Sequence, residues 1–133
     1  MVIFMKKMVV GLVEPVKIIG GTGKEVKCDA ILDTGATRTS VDIAVARKAE
    51  LGPVLGSVRV KSKTTSAGFV RRLEVPCKVV LNGKVFESVV NITDRRDMYT
   101  KVLIGRNILF GNFVVDVEKT HKTENIADIK KKC

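Results

Sequence analysis

With 133 residues, 45% of them apolar and 5% aromatic, the chain has enough hydrophobic material for one domain core and little room for two. A formal net charge of +10 favours acidic partners, yet Lys and Arg are scattered, the only dense cluster is Lys130-Lys131-Lys132, and no nucleic-acid-binding motif accompanies them, which argues against nucleic acid as the main partner. Three cysteines (Cys28, Cys77 and Cys133), odd in number and widely spaced, argue against a disulfide framework and fit a reducing cytoplasm, and no run is long enough to span a bilayer. Residues 1–13 are apolar but broken by Lys6-Lys7 and Gly11, so they lack the order of a signal peptide.

Val and Ile cluster in short runs between Gly, Asn and Pro, a pattern that predicts strands. Residues 9–16 form the first, ended at Glu14-Pro15 or continued past it at a sheet edge. Gly20-Gly21-Thr22-Gly23 turns the chain into a second strand over 25–32, making a hairpin. After Asp33-Thr34-Gly35-Ala36 comes a helical segment, with Ser40 as predicted N-cap, Asp42 in the first turn, and Ile43, Val45, Ala46 and Ala49 as the apolar stripe. Gly52-Pro53 is its predicted stop.

Strands follow over 58–63 and 69–81, joined by the small, polar link 64–68. Asn82-Gly83 is a strong hairpin turn into a strand over 85–92. Residues 94–101 read as a charged loop, 102–105 as a short buried strand ending at Gly105, 106–110 as a helical turn, and 113–117 as a last strand after Gly111-Asn112. The sum is about eight short strands with one or two short helices, hence a mostly-β, barrel-like domain over 1–118. A polar basic tail over 119–133, with one weak helix at most, completes the chain.

The chemistry centres on Ala30-Ile31-Leu32-Asp33-Thr34-Gly35-Ala36. An apolar strand delivers a carboxylate at its end. Gly35 permits a tight turn and close approach of a partner chain or substrate, and Thr34 offers a hydroxyl that can lock the loop. Such a loop can hold Asp33 rigidly in a buried but solvated place. A bare Asp-Thr-Gly turn is weak on its own; a second motif later in the chain strengthens it.

The sequence resembles the retropepsin-like aspartic peptidases, whose pattern is a strand, Asp-Thr-Gly-Ala or Asp-Thr-Gly-Ser, a flap hairpin, then two apolar residues with Gly-Arg and a short helix. Leu103-Ile104-Gly105-Arg106-Asn107-Ile108-Leu109 matches the last part. It resembles more closely still the prokaryotic family labelled ATP-dependent zinc proteases, often encoded beside a ribosomal-protein glutamate ligase. That second similarity rests on Leu81-Asn82-Gly83-Lys84-Val85-Phe86-Glu87, Thr93-Asp94-Arg95-Arg96-Asp97-Met98-Tyr99, the Leu-Ile-Gly-Arg-Asn stretch and Val115-Asp116. The resemblance covers residues 26–116.

The resemblance implies a closed, barrel-like retropepsin fold and an aspartic endopeptidase without cofactor. Asp33 would be catalytic, with Thr34, Gly35 and Ala36 supporting the loop. Arg38 and the flap residues Ser66, Ala67, Gly68 and Phe69 would face substrate, and Leu103, Ile104, Gly105 and Arg106 would pack across the aspartate loop. One Asp-Thr-Gly per chain implies a homodimer, with two Asp33 side chains sharing one proton on a two-fold axis. The substrate would be a peptide or protein, acidic by preference given the net charge of +10. Asp29, Asp94 and Asp116 are the rival in-chain carboxylates, but none stands in a Gly-following turn.

Three positions depart from the retroviral pattern. Thr37-Arg38-Thr39 stands where retroviral members carry an acidic residue, Thr100 replaces a common Pro, and the flap tip has a single Gly, Gly68. The zinc label finds little chemistry in the chain, since the one His is His121 and there is no His-Glu-x-x-His helix; nor is there a Gly-Lys-Ser/Thr loop for ATP. The alternatives are a retropepsin-like fold kept as an inactive dimeric binding module and a metal-dependent hydrolase.

Overall fold

The computed structural model describes residues 6–119. The first five residues and the predicted tail from 120 onward, with its weak helix, His121, Lys130-Lys131-Lys132 and Cys133, lie outside the described residues. The elements in order are β1 (Met8–Val10), β2 (Val13–Ile19), β3 (Glu25–Leu32), β4 (Ser40–Asp42), α1 (Ile43–Lys48), β5 (Gly56–Lys61), β6 (Phe69–Leu81), β7 (Lys84–Thr93), β8 (Val102–Ile104), α2 (Arg106–Leu109) and β9 (Phe113–Val115). The fold is mostly β, as the Val- and Ile-rich runs predict.

Strand order is β2-β3-β8-β4-β7-β6-β5, and β2 also pairs with β6. Six strands therefore close a ring, and β5 hangs from β6 outside it. β1 and β9 form a separate two-stranded parallel pair, Met8 beside Phe113 and Val10 beside Val115. The predicted first strand is thus two strands, broken at Gly11-Leu12, where Gly11 N donates to the buried Glu14 carboxylate at 2.9 Å. Pro15 stays inside β2 because β6 joins that strand only from Val16 onward, so the missing N–H leaves no ladder bond unmade on that side.

Alternation sets what faces inward. In β6, Val75, Cys77, Val79 and Leu81 are buried while the residues between them are less so. Together with Ile18, Leu32, Val41, Val90, Val102, Ile104 and Ile108 they form the core. Each fully buried Leu or Ile contributes about 2 kcal/mol. Asn82 (φ 52) and Gly83 (φ 76) both take the left-handed conformation that a tight hairpin of this hand demands, and they join β6 to β7 as predicted.

The helix boundaries differ from the sequence expectation. Asp42, not Ser40, is the N-cap. One carboxylate oxygen accepts from Ala44 N at 2.9 Å and the other from Arg95 N at 2.6 Å. Ser40 belongs to β4, pairing with both β7 and β8, and its hydroxyl donates to Asn91. The helix ends at Lys48, before Gly52-Pro53, with Ala49 as C-cap and Glu50 at φ 54. The charged loop 94–101 is not wholly solvated either. Arg95 is 7% exposed and donates from Nε to Thr100 O at 3.1 Å, while the Thr100 hydroxyl donates to Val102 O at 2.8 Å.

Cys28 and Cys77 are free thiols in the barrel wall. Burial, with the charge of Asp29 as a lesser cause, pushes Cys28 up to about 11. Burial likewise pushes Cys77 up to about 11. A thiol that ionises less readily in the folded chain than at its ordinary 9.0 stabilises the fold fully below that pH, and the contribution is lost as pH climbs from about 9 to about 11. The denaturation midpoint of wild type should therefore fall over that window more steeply than that of Cys28→Ala/Cys77→Ala. Parallel slopes, read by urea titration at matched pH, would contradict the assignment.

Candidate active site

β3 ends at Leu32, and the chain turns outward over 33–36. Asp33 is half-buried. Its backbone N donates to Ile104 O at 2.8 Å, which extends the parallel β3–β8 ladder by one bond into the loop. One carboxylate oxygen accepts from Gly35 N at 2.8 Å. The other accepts nothing among the described residues, and it is left for water or a partner group. Ala36 N donates back to Asp33 O at 3.2 Å, closing the turn.

The segment Leu103-Ile104-Gly105-Arg106 lies across this loop. Arg106 N donates to Ala36 O at 2.7 Å, and Gly105 N donates to the Thr39 hydroxyl at 3.1 Å. A β-carbon at Gly105 would collide with Arg38 O and come within 2.6 Å of Arg38 C and 2.9 Å of Ala36 O. Glycine is therefore required here by close approach of two backbones, at a φ of −99° that any residue adopts. The Arg106 side chain reaches the same loop, from Nη2 to the Thr37 hydroxyl at 3.1 Å and more weakly from Nη1 to Thr34 O at 3.5 Å.

Thr39, fully buried, is a site residue that the sequence pattern does not single out. Its hydroxyl accepts from Gly105 N and donates to Asn107 Oδ1 at 2.8 Å, tying the loop to the start of α2. Asn107 continues to the Ser88 hydroxyl at 3.0 Å, on β7. The only signal in the sequence is a Thr followed by Ser between charged residues, which does not distinguish a buried hydroxyl from a solvated one. Thr34, expected to lock the loop with its hydroxyl, is exposed and donates no side-chain hydrogen bond among the described residues; its carbonyl takes the Arg106 contact instead.

Asp33 and Thr34 line an open cleft of about 330 Å³ with Leu12, Ile31, Leu32, Val115 and Val117. The rival carboxylates are elsewhere. Asp94 pairs with Arg96 at 3.0 Å, Asp116 accepts from Glu118 N, and Asp29 stands opposite Pro15 in the β2–β3 ladder. Arg38 is exposed, and only its backbone meets the motif at Gly105. Ser66, Ala67 and Gly68 form the exposed tip of the β5–β6 hairpin, Gly68 at φ +77, with Gly68 N donating to Thr65 O at 3.1 Å. Phe69 is half-buried beneath the Arg59 guanidinium, 3.7 Å from its ring centre. Residues 33–36 and 103–106 are thus brought together, whereas 66–69 do not line the cleft within one chain.

Among the described residues no three His, Cys, Asp or Glu side chains converge, so these residues do not fit a catalytic zinc. His121 lies outside them. No helix among the described residues is long and apolar enough to cross a membrane.

No family model and no curated protein matches the chain. Solved structures do. A Legionella pneumophila protein of unknown function superposes with a TM-score of 0.59 at 22% identity, over 90% of this chain and 100% of that one. EIAV protease in complex with the inhibitor HBY-793 superposes with a TM-score of 0.59 at 19% identity, over 78% of this chain and 91% of that one. The fold is that of the retroviral proteases. The simian foamy virus (mac) protease agrees, with a TM-score of 0.50 at 18% identity over 72% of this chain and 91% of that one. In this retropepsin-like fold Asp33 lies at the end of β3, where residues 103–106 cross over residues 33–36.

Proposed function

We propose that the chain is one half of a homodimeric aspartic endopeptidase with Asp33 as its catalytic residue, acting in a reducing cytoplasm. The observation that carries the reading is the Asp33 loop itself. In a retropepsin-like fold it presents a carboxylate with one oxygen committed to Gly35 N and lines a cleft, and no second Asp among the described residues lines that cleft. A second Asp33 from a symmetry mate completes the pair. Two carboxylates that close share one proton. The ionised one takes a proton from water as the water oxygen bonds to the peptide carbonyl carbon. The protonated one donates to the carbonyl oxygen. Collapse of the resulting diol breaks the C–N bond, and the amine leaves with a proton.

The late motifs support kinship with the prokaryotic group labelled zinc proteases, as an aspartic peptidase without metal. The domain would end near residue 118, and the flap tip 66–68 would close over substrate to exclude water.

Dimerisation has a physical seat in the β1–β9 pair, whose outer edges carry no further strand among the described residues. Val9 and Val114 face each other in register and are 46% and 49% exposed, with Val117 beside them at 57%. Sedimentation should find a dimer whose dissociation constant rises about tenfold or more in Val114→Asp, as expected for burying a charge at an apolar contact. Peptide cleavage per chain should fall with the dimer fraction and be inhibited by a pepstatin-type transition-state analogue. A monomer that cleaves peptide at full rate would overturn the proposal, and so would activity lost to a chelator.

A further inference from the structure

A second hollow lies on another part of the molecule. It holds about 380 Å³ and is lined by Ile43, Ala46, Arg47, Glu50 and Leu51 from α1 and its end, by Arg71, Arg72 and Leu73 of β6, and by Ile92 of β7. None of these lines the cleft at Asp33. Its origin is a fork in the sheet. β7 pairs with β6 from Glu74 to Leu81, then diverges, so that Ile92 and Thr93 pair with β4 instead. Residues 69–73 of β6 therefore pair with β5 on one side and with no strand on the other among the described residues. Side chains of consecutive strand residues point to opposite faces. A hollow touched by Arg71, Arg72 and Leu73 together must run along that open edge.

The lining has a definite chemistry. Ile43 and Leu73, 39% and 49% exposed, give it an aliphatic floor with no aromatic ring. Among the described residues three arginines rim it against one carboxylate, Glu50, which is already held by Lys24 at 3.2 Å and by the Thr22 hydroxyl at 3.1 Å. Arg72 Nε is buried without a hydrogen-bond acceptor among the described residues, and burial holds its guanidinium below the ordinary arginine value. A buried guanidinium donor without an acceptor is costly, and a carboxylate arriving along the edge would satisfy it.

We propose that this fork is a peptide-docking site, separate from the Asp33 cleft, that takes an extended acidic segment of a partner protein as an added strand on the open edge of β6. Backbone bonds to the edge would supply affinity, aliphatic side chains on one face of the added strand would pack on Leu73 with Ile43 and Ile92, and carboxylates on its opposite face would meet Arg72, with Arg47 and Arg71 adding positive charge at the rim. A nucleic acid fits less well, because single strands gain much of their affinity by stacking bases on aromatic rings, and this lining has none.

The test uses the full chain carrying Asp33→Asn, so that docking is read without cleavage and independently of whether the protein is a peptidase. Fluorescence anisotropy follows a labelled Glu-Val-Glu-Leu-Glu-Val-Glu peptide, its Gln-for-Glu counterpart, and a labelled oligo(dT) of similar length. The acidic peptide should bind about tenfold or more tightly than the Gln peptide, and Arg71→Gln/Arg72→Gln should remove about that factor. Leu73→Glu should do the same, whereas Lys61→Gln/Lys63→Gln, which removes equal charge from the flap, should stay within about twofold. Circular dichroism establishes that each variant is folded, and Leu73→Glu serves if the double Arg variant is not. Equal losses in the Arg and Lys variants, equal binding of the two peptides, or tighter Arg71- and Arg72-dependent binding of oligo(dT) would overturn the proposal.

Discussion

Asp33→Asn should lower peptide cleavage by about 10³-fold or more while the protein keeps its circular dichroism spectrum and its dimer. The amide can still accept the Gly35 N–H through its Oδ1, so the turn 33–36 has no reason to open. What it cannot do is exchange a proton with water or with the partner carboxylate. In a symmetric dimer the substitution also removes both members of the pair at once, which is why the loss should be near total. Asp94→Asn and Asp116→Asn serve as controls. Their carboxylates serve local turns, and rates should stay within about twofold. Retained cleavage in the Asp33 variant, measured with active-site concentration held constant, would end the aspartic reading.

Gly105→Ala should destabilise the fold by about 3 kcal/mol or more. The added carbon would not meet the flexible end of a side chain but the carbonyl groups of Arg38 and Ala36, and the two segments are tied to each other at three points. Arg106 N fixes Ala36 O, the Thr39 hydroxyl fixes Gly105 N, and Asp33 N fixes Ile104 O. Relief would require the aspartate loop and residues 103–106 to separate, so stability and activity should fall together. Urea denaturation gives the first and initial rates on the folded fraction give the second. An alanine variant as stable as wild type would mean that the two backbones do not cross this closely.

Local features are the ones legible in the sequence. Asn82-Gly83 announces its hairpin because only left-handed residues fit such a turn, and Val75, Cys77, Val79 and Leu81 announce an inward face by alternation. The motif residues 33–36 and 103–106 are legible as two patterns, and their meeting is implied by the resemblance. The start of α1 is not legible. Ser40 and Asp42 are both good caps by residue type, and the choice falls to Asp42 because Ser40–Asp42 is drawn into pairing with β7 and β8, partners distant in sequence. Arg95 looks like one more solvated charge in a charged loop. Its burial depends on Asp42 and Thr100 arriving at its backbone N and Nε, which no window of neighbouring residues encodes. Thr39 escapes notice for the same reason, since its value lies entirely in where Gly105 and Asn107 come to rest.

The parallel pairing of Met8–Val10 with Phe113–Val115 bears on how the chain reaches this shape. These residues lie at opposite ends of the described segment, and the ring itself closes between β2 and β6, again far apart in sequence. On a ribosome, β1 waits unpaired until β9 has emerged, and the short β8 that completes the wall beside β3 also arrives late. Loop closures this long are slow, and they leave strand edges uncovered during synthesis. Acquiring the native arrangement therefore waits until β9 is available, and until then the edge of β1 stays open.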